Sequence, residues 1–130
     1  MDGEGANRTF PTTDALVVLC SVPLTVDADG LATELIQRSL AACVQLGPPL
    51  TSIYEWEGAM QRSSERLLFI KTRRELFESV AEAIRSVHPH EVPEIIGLPV
   101  SHGHAPYLAW INKATTRESR PGGPSSGRST

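Results

Sequence analysis

The chain has 130 residues, of which 40% are hydrophobic and 21% charged, and this length fits a single domain. Twelve basic against fifteen acidic residues leave a net charge of −3, so no basic surplus indicates nucleic-acid binding. No apolar run approaches the ~20 residues of a membrane span, and residues 1–14 lack the apolar stretch of an export signal. We therefore expect a cytoplasmic protein whose two cysteines are free.

The two ends of the chain differ in composition from its middle. Residues 1–14 are polar, and residues 115–130 are mostly Thr, Ser, Pro and Gly with no apolar side chain. Segments of this kind have nothing to bury. We expect a flexible N-terminal segment over 1–14, one domain over 15–114 and a disordered tail over 115–130.

The domain begins with a predicted strand and helix. Residues 15–22 (ALVVLCSV) form a nearly unbroken apolar run, typical of a strand covered on both faces. Residues 27–40 carry one apolar stripe at helical spacing. Thr25 or Asp27 can cap the start of this helix.

A bent strand and a hairpin follow. The segments 42–46 and 50–57 read as one strand that Gly47-Pro48-Pro49 must bend or bulge, because proline cannot donate to a sheet ladder. Glu57-Gly58-Ala59 predicts a hairpin turn. Residues 65–72 (ERLLFIKT) predict the next strand.

The last third of the domain predicts helix, strand and helix. Thr72 and Glu75 have the spacing of a capping box, in which each side chain bonds the other residue's amide. The helix after it is stopped by Pro89. Residues 94–100 predict a fourth strand and residues 105–112 a short final helix.

The order β-α-β-β-α-β-α predicts an α+β fold of the ferredoxin-like, split βαβ type. In that plan strands one and three are central, and strands two and four are edges. Both edges are apolar here, with Ile53 and Trp56 on one and Ile96 and Leu98 on the other. Exposed apolar edges are pairing templates, so we expect them to join other copies of the chain.

Few residues indicate a catalytic or binding site from the sequence pattern alone. Cys20 and Cys43 lack metal-site spacing, which favours reading them as two small buried hydrophobic side chains. His88 and His90, with Glu91, could converge on a metal or an anion, or His88 could simply offset the helix dipole. No nucleophile elbow or phosphate-binding glycine motif is present, and we expect no enzyme activity.

Six stretches in order resemble the CutA divalent-cation tolerance family. They are LVVLCSVP (16–23), LAACV (40–44), TSIYEWEG (51–58), LLFIKT (67–72), HPHEVPEIIGLPV (88–100) and YLAWI (107–111). The resemblance implies a ferredoxin-like homotrimer joined through its sheet edges and associated with copper and other divalent cations. It also implies an architecture similar to the nitrogen-regulatory PII trimers.

The resemblance carries metal-associated positions onto Cys20, His88 and Cys43. Some relatives have a second histidine just before the one at 88, where this chain has Val87. The family usually has tyrosine where this chain has His90, whose imidazole could supply a substitute ligand. A thiolate with imidazoles suits copper or zinc better than magnesium or calcium.

The resemblance also implies a cleft between subunits that could hold a small ligand. The family-typical residues expected to line it are Trp56, Lys71, Glu91, Glu94, Tyr107 and Trp110. Two functions follow. The first is a trimeric, copper-type cation-binding protein that needs no cofactor to fold, and the alternative is a PII-like trimer that binds a small ligand and presents it to a partner protein.

Overall fold

The structure is a computed structural model that describes residues 13–116. Most of the predicted N-terminal segment and tail therefore lies outside the described residues. Two residues assigned to those ends contact the domain: the Thr13 hydroxyl donates to the Val100 carbonyl at 2.7 Å, and Thr115 is buried. Among the described residues, no helix is both long and apolar enough to cross a membrane.

Within residues 13–116, four strands form one antiparallel sheet in the order β2-β3-β1-β4, flanked by three α-helices. This confirms the α+β, ferredoxin-like prediction, with strands one and three central and strands two and four at the edges. The elements are β1 Ala15–Pro23, α1 Ala28–Gln37, β2 Cys43–Trp56, β3 Ala59–Arg73, a 3₁₀ turn Arg74–Leu76, α2 Phe77–Arg85, β4 Ile95–Pro99 and α3 Ala105–Ala114.

The main core lies between one face of the sheet and helices α1 and α2. Alternate residues of β1, among them Val18 and Cys20, are fully buried there against Leu35 of α1 and Ile84 of α2. The central strand β3 adds Ile70 to the same cluster. Alternation in strands places every second side chain on this face, so the residues between them lie on the other face.

The opposite face of the sheet, hereafter the open face, is only partly covered. Helix α3 packs on one end of it, where Ile111 contacts Ala15 and Ala42. Arg73 ties the end of α3 down, because its guanidinium donates to the Thr115 hydroxyl and carbonyl at 2.8 and 3.0 Å. Beyond α3, the open face keeps large apolar side chains exposed in the single chain: Phe69, Ile96 and Leu98 are 37%, 47% and 46% exposed.

Helix α1 is shorter than the predicted 27–40. The Asp27 carboxylate caps it by accepting from the Gly30 amide at 3.0 Å, as one of the two predicted caps. Ser39 adopts a left-handed conformation with φ of 58°, and the Leu40 amide then donates back to the Leu35 carbonyl at 2.9 Å. This pairing is a Schellman motif, which ends the helix.

The predicted hairpin turn is confirmed, but the strand after it is longer than predicted. Glu57 and Gly58 have φ of 52° and 83°, and Trp56 pairs with Ala59, which makes a two-residue turn. Strand β3 starts at Ala59 instead of residue 65, because its polar first half pairs only with β2. The predicted bulge is also present, as a register shift between Leu46 and Pro49.

Strand β1 ends opposite Glu65, so the rest of the β2–β3 hairpin projects beyond the four-stranded sheet. We call residues 51–64 the hairpin arm. Its pairing continues without interruption from Thr51 opposite Ser64 to the turn. In the described part of the chain, the arm is thus a two-stranded ribbon with no third strand beside it.

The predicted capping box is wrong. The Thr72 side chain is buried and donates to the Leu40 carbonyl at 2.7 Å, so it caps no helix. Glu75 accepts a hydrogen bond from Arg73, and the 3₁₀ turn that starts at Arg74 has no side-chain cap. The Leu40 carbonyl, in the segment after α1, has thus taken the place of the local backbone amide as the partner of the Thr72 hydroxyl.

We predict that Thr72→Val destabilises the domain. The change keeps the side-chain volume but leaves the buried Leu40 carbonyl without the Thr72 donor, a loss of about 1–3 kcal/mol in the free energy of unfolding. Urea unfolding monitored by circular dichroism measures this difference. The control is Thr51→Val at an exposed position of β2, and equal stability of the two variants would contradict the assigned role.

Candidate functional site

A cleft of about 670 Å³ lies between the hairpin arm and residues 90–94, which precede β4. Its volume falls in the range of roughly 300–1,000 Å³ found for small-molecule sites. The polar and aromatic side chains that line it are Ser21, Ser52, Tyr54, Trp56, Gln61, Glu65, His90, Glu91 and Glu94. Trp56, Glu91 and Glu94 are thus brought together, as three of the six residues expected to form a cleft.

The cleft is acidic. Three carboxylates line it, from Glu65, Glu91 and Glu94, and among the described residues no lysine or arginine does. The Ser52 hydroxyl donates to Glu65 at 3.0 Å, and the Ser21 hydroxyl donates to Glu94 at 3.1 Å. These two bonds hold one carboxylate on each side of the cleft.

The other three residues expected in the cleft form a separate group beside α3. The Lys71 ammonium lies 5.9 Å from the centre of the Tyr107 ring, within cation–π range. The Tyr107 and Trp110 rings are 5.6 Å apart. None of the three lines the acidic cleft of the same chain. Within one chain, the six residues expected to line a cleft between subunits therefore form two separate groups.

Cys20 is fully buried in the core on the helix side of β1. Burial raises the pKa of its thiol from the ordinary 9.0 to about 12, and the Glu94 carboxylate adds to this shift. At neutral pH the thiol is therefore protonated, whereas a metal ligand must be a thiolate.

Cys43 lies on the opposite face of the sheet from Cys20. It pairs with Lys71, whose neighbours Ile70 and Thr72 point into the helix-side core, so Cys43 and Lys71 share the open face. The structure therefore separates the two thiols by the thickness of the sheet. Both cysteines are free, as expected.

His88 and His90 lie side by side at the edge of the cleft, with ring centres 4.9 Å apart. His88 Nε2 bonds the Ser21 carbonyl at 2.8 Å, and its Nδ1 accepts from the His90 amide at 3.1 Å. Because an acceptor at Nδ1 leaves the proton on Nε2, His88 donates to Ser21 and has both nitrogens engaged. The exposed imidazole of His90 faces the cleft.

The four residues expected as metal ligands are thus not assembled within one chain. In the described part of the molecule, no three histidine, cysteine, aspartate or glutamate side chains are placed to hold one metal ion. The residues present do not fit a complete metal site in a single copy. The sequence reasoning missed Glu65, Ser21 and Ser52, whose participation depends on tertiary neighbours; the acidic residue in the apolar run ERLLFIKT was the one available signal.

We predict that the stability of the protein falls as pH rises above 9. Below pH 9.0 Cys20 keeps its proton folded or unfolded; between 9.0 and about 12 only the unfolded chain loses it. The free energy of unfolding then decreases by up to about 1.4 kcal/mol per pH unit through this group. Urea unfolding at neutral pH and at about pH 10 measures the free energy of unfolding under both conditions. Cys20→Ala is the control, because it lacks the contribution of this thiol. An equal decrease in the native protein and in Cys20→Ala would contradict the prediction.

Comparison with known proteins identifies the family. The model of the CutA1 divalent ion tolerance protein family matches residues 16–114. "Protein CutA, chloroplastic" from Arabidopsis thaliana is 41% identical over 86% of this chain and 60% of its own length, so the chain spans less than two thirds of that relative. "Divalent-cation tolerance protein CutA" from Thermus thermophilus is 41% identical over 76% of this chain and 96% of its own.

The solved structures agree with this. The crystal structure of CutA1 from Oryza sativa superposes with a TM-score of 0.76 at 39% identity, covering 81% of this chain and 96% of that one. The family description and the name of the Thermus thermophilus relative refer to divalent ion tolerance and to no enzymatic reaction. The chain belongs to the CutA1 divalent ion tolerance family.

Proposed function

We propose that the chain works as a homotrimer that binds a divalent cation of the copper type and so contributes to cation tolerance. The observation that carries the assembly is the open face of the sheet, where Phe69, Ile96 and Leu98 remain 37–47% exposed in one copy. Apolar side chains that lie together on a surface mark an interaction site. The number of copies, three, follows from the resemblance to the CutA family, and cytoplasmic localisation remains our expectation.

Assembly would also explain the two separate groups of cleft residues. The acidic cleft with Trp56 and the Lys71 group beside α3 lie at different places on one chain. We propose that each cleft is completed where two copies meet, so that the six expected residues contribute from neighbouring chains.

For the cation we propose His90 as the anchoring ligand. Its ring is exposed at the cleft, whereas Cys20 is buried and protonated and both nitrogens of His88 are engaged. Imidazole and carboxylate suit Cu(II), and Glu91 and Glu94 line the same cleft. Cys20 and His88 remain candidates only for a conformation that exposes the thiol and releases an imidazole nitrogen. Cys43 lies on the open face and does not line the cleft. No residue is assigned a catalytic role.

A second candidate function is binding of a small organic ligand in the manner of a PII-like signalling trimer. The acidic cleft favours it, because its volume suits a molecule larger than a metal ion and its walls combine aromatic and polar groups. This function needs no metal. Ligand binding that persists with a chelator present therefore separates it from the first.

We predict that Ile96→Lys breaks the assembly. A charge placed on the open face of the edge strand β4 cannot be buried against another copy without a large desolvation penalty. Light scattering should give the native mass as three chains of 14.1 kDa, and the variant as single chains or aggregate. The control is Leu24→Lys, an equally exposed apolar residue (49% against 47%) in the turn after β1. An intact Ile96→Lys trimer would contradict the proposed interface.

We predict that His90→Ala weakens copper binding by about tenfold or more. Loss of a residue that only supports a metal ligand already weakens binding by about that much, so loss of the ligand itself should weaken it at least as much. Calorimetric titration of Cu(II) into the metal-free protein measures the affinity. His104→Ala removes another exposed histidine outside the cleft and should bind as the native chain does. Unchanged affinity in His90→Ala would contradict the assignment, and a loss in Cys20→Ala would move the ion to the buried thiol.

A further inference from the structure

Glu65 is buried, at 7% exposed, whereas the other two described carboxylates of the cleft, Glu91 and Glu94, are exposed. It lies at the junction of the sheet and the hairpin arm, opposite Pro23 of β1 and Leu50 of β2. One of its oxygens, Oε1, accepts from the Ser52 hydroxyl at 3.0 Å. Within the described part of the chain, its other oxygen has no hydrogen-bond donor and no basic side chain pairs with it.

A buried carboxylate with an unused oxygen calls for a donor, and a charged donor satisfies it best. Buried charges in proteins are paired, because an isolated ion loses its hydration without compensation. The oxygen belongs to a side chain that lines the cleft, so a group bound there can reach it. The two rim carboxylates, Glu91 and Glu94, add negative potential to the same space.

The aromatic wall of the cleft favours the same kind of group. Tyr54 and Trp56 line it from the hairpin arm, each with a partly exposed ring, and aromatic faces attract cations. The Tyr54 hydroxyl is bonded to Ser63 at 2.8 Å, which holds its ring in place. The cleft can therefore bind the cationic group and the apolar body of one ligand at neighbouring points.

We propose that the cleft binds a small organic cation, with a primary ammonium group against Glu65 and an apolar or aromatic body along Tyr54 and Trp56. The inference rests on the second candidate function, ligand binding in the cleft, and names its ligand class. A bare metal ion fits the part of the cleft next to Glu65 poorly, since no three ligating side chains converge among residues 13–116 and the cleft volume is about 670 Å³.

A cationic side chain of a second copy is the other source of such a group. Lys71 is one cation of the open face, and its ammonium already lies against Tyr107 of its own chain. A single lysine side chain would also fill only a small part of a cleft of about 670 Å³. A free amine with a body of its own accounts for both the buried carboxylate and the aromatic wall.

The test uses two probes that differ only in charge. Tyramine carries an ammonium group on a phenol-ethyl body, and in tyrosol a hydroxyl replaces the ammonium. Titration calorimetry of the full-length native protein, with a chelator present, should show tyramine binding about tenfold or more tighter than tyrosol, as expected for a charge-assisted bond. Equal affinities would overturn the proposal without any substitution in the protein.

Matched variants locate the binding. Glu65→Gln keeps an acceptor for Ser52 and removes the charge, so tyramine affinity should fall about tenfold or more while tyrosol is unaffected. Glu55→Gln removes an exposed glutamate of the arm that does not line the cleft, and should bind tyramine as the native chain does. If Glu65→Gln fails to fold, Glu91→Gln at the exposed rim should still weaken tyramine, and an unchanged affinity there would count against the proposal.

The remaining outcomes separate the possible failures. Tyramine binding to Lys71→Ala but not to the native chain would show that a second copy's lysine occupies Glu65, and would overturn the free-ligand proposal. Binding of adenosine triphosphate that Trp56→Ala abolishes, with no binding of tyramine, would refute the cation class and leave the second candidate function standing. No binding of any probe would refute both.

Discussion

The pairing of β1 with β3 is the constraint on which the rest of the molecule depends. It runs without interruption from Ala15 opposite Arg73 to Pro23 opposite Glu65, and it fixes which side chains face the helices. With these two strands in the centre, β2 and β4 become edges. One sheet face is covered by α1 and α2, and among residues 13–116 only α3 packs on the other. The open face, the unpaired edges and the cleft are all consequences of this one ladder.

The same register decides what chemistry each residue can perform. Cys20 and Ser21 are adjacent in the sequence, but the first faces the dry core and the second faces the cleft. A thiol on the core side is held in its protonated form, while the hydroxyl next to it positions a carboxylate. A shift by one residue would exchange these environments. This is why the acidic cleft, and not the pair of cysteines, is the chemically accessible feature of a single copy.

Much of the fold could be predicted from the sequence because it depends on local pattern. Apolar runs, proline positions and the Glu57-Gly58 turn were sufficient for the element order and the edge strands. The failures share a physical cause, which is competition from distant groups. Thr72 has the spacing of a cap but bonds the Leu40 carbonyl, 32 residues away. Glu65 is buried by the meeting of three strands, which no local pattern encodes.

The hairpin arm has a consequence for how the protein exchanges hydrogen with water. A two-stranded ribbon without a third strand or a helix against it is marginally stable in water, however regular its pairing. Its backbone amides therefore open far more readily than those of the β1–β3 ladder as long as the arm has no neighbour. Contact with another molecule would slow their exchange selectively. The hydrogen-exchange rates of the amides of residues 51–64 thus report whether another molecule covers the arm, and they can be measured without unfolding the domain.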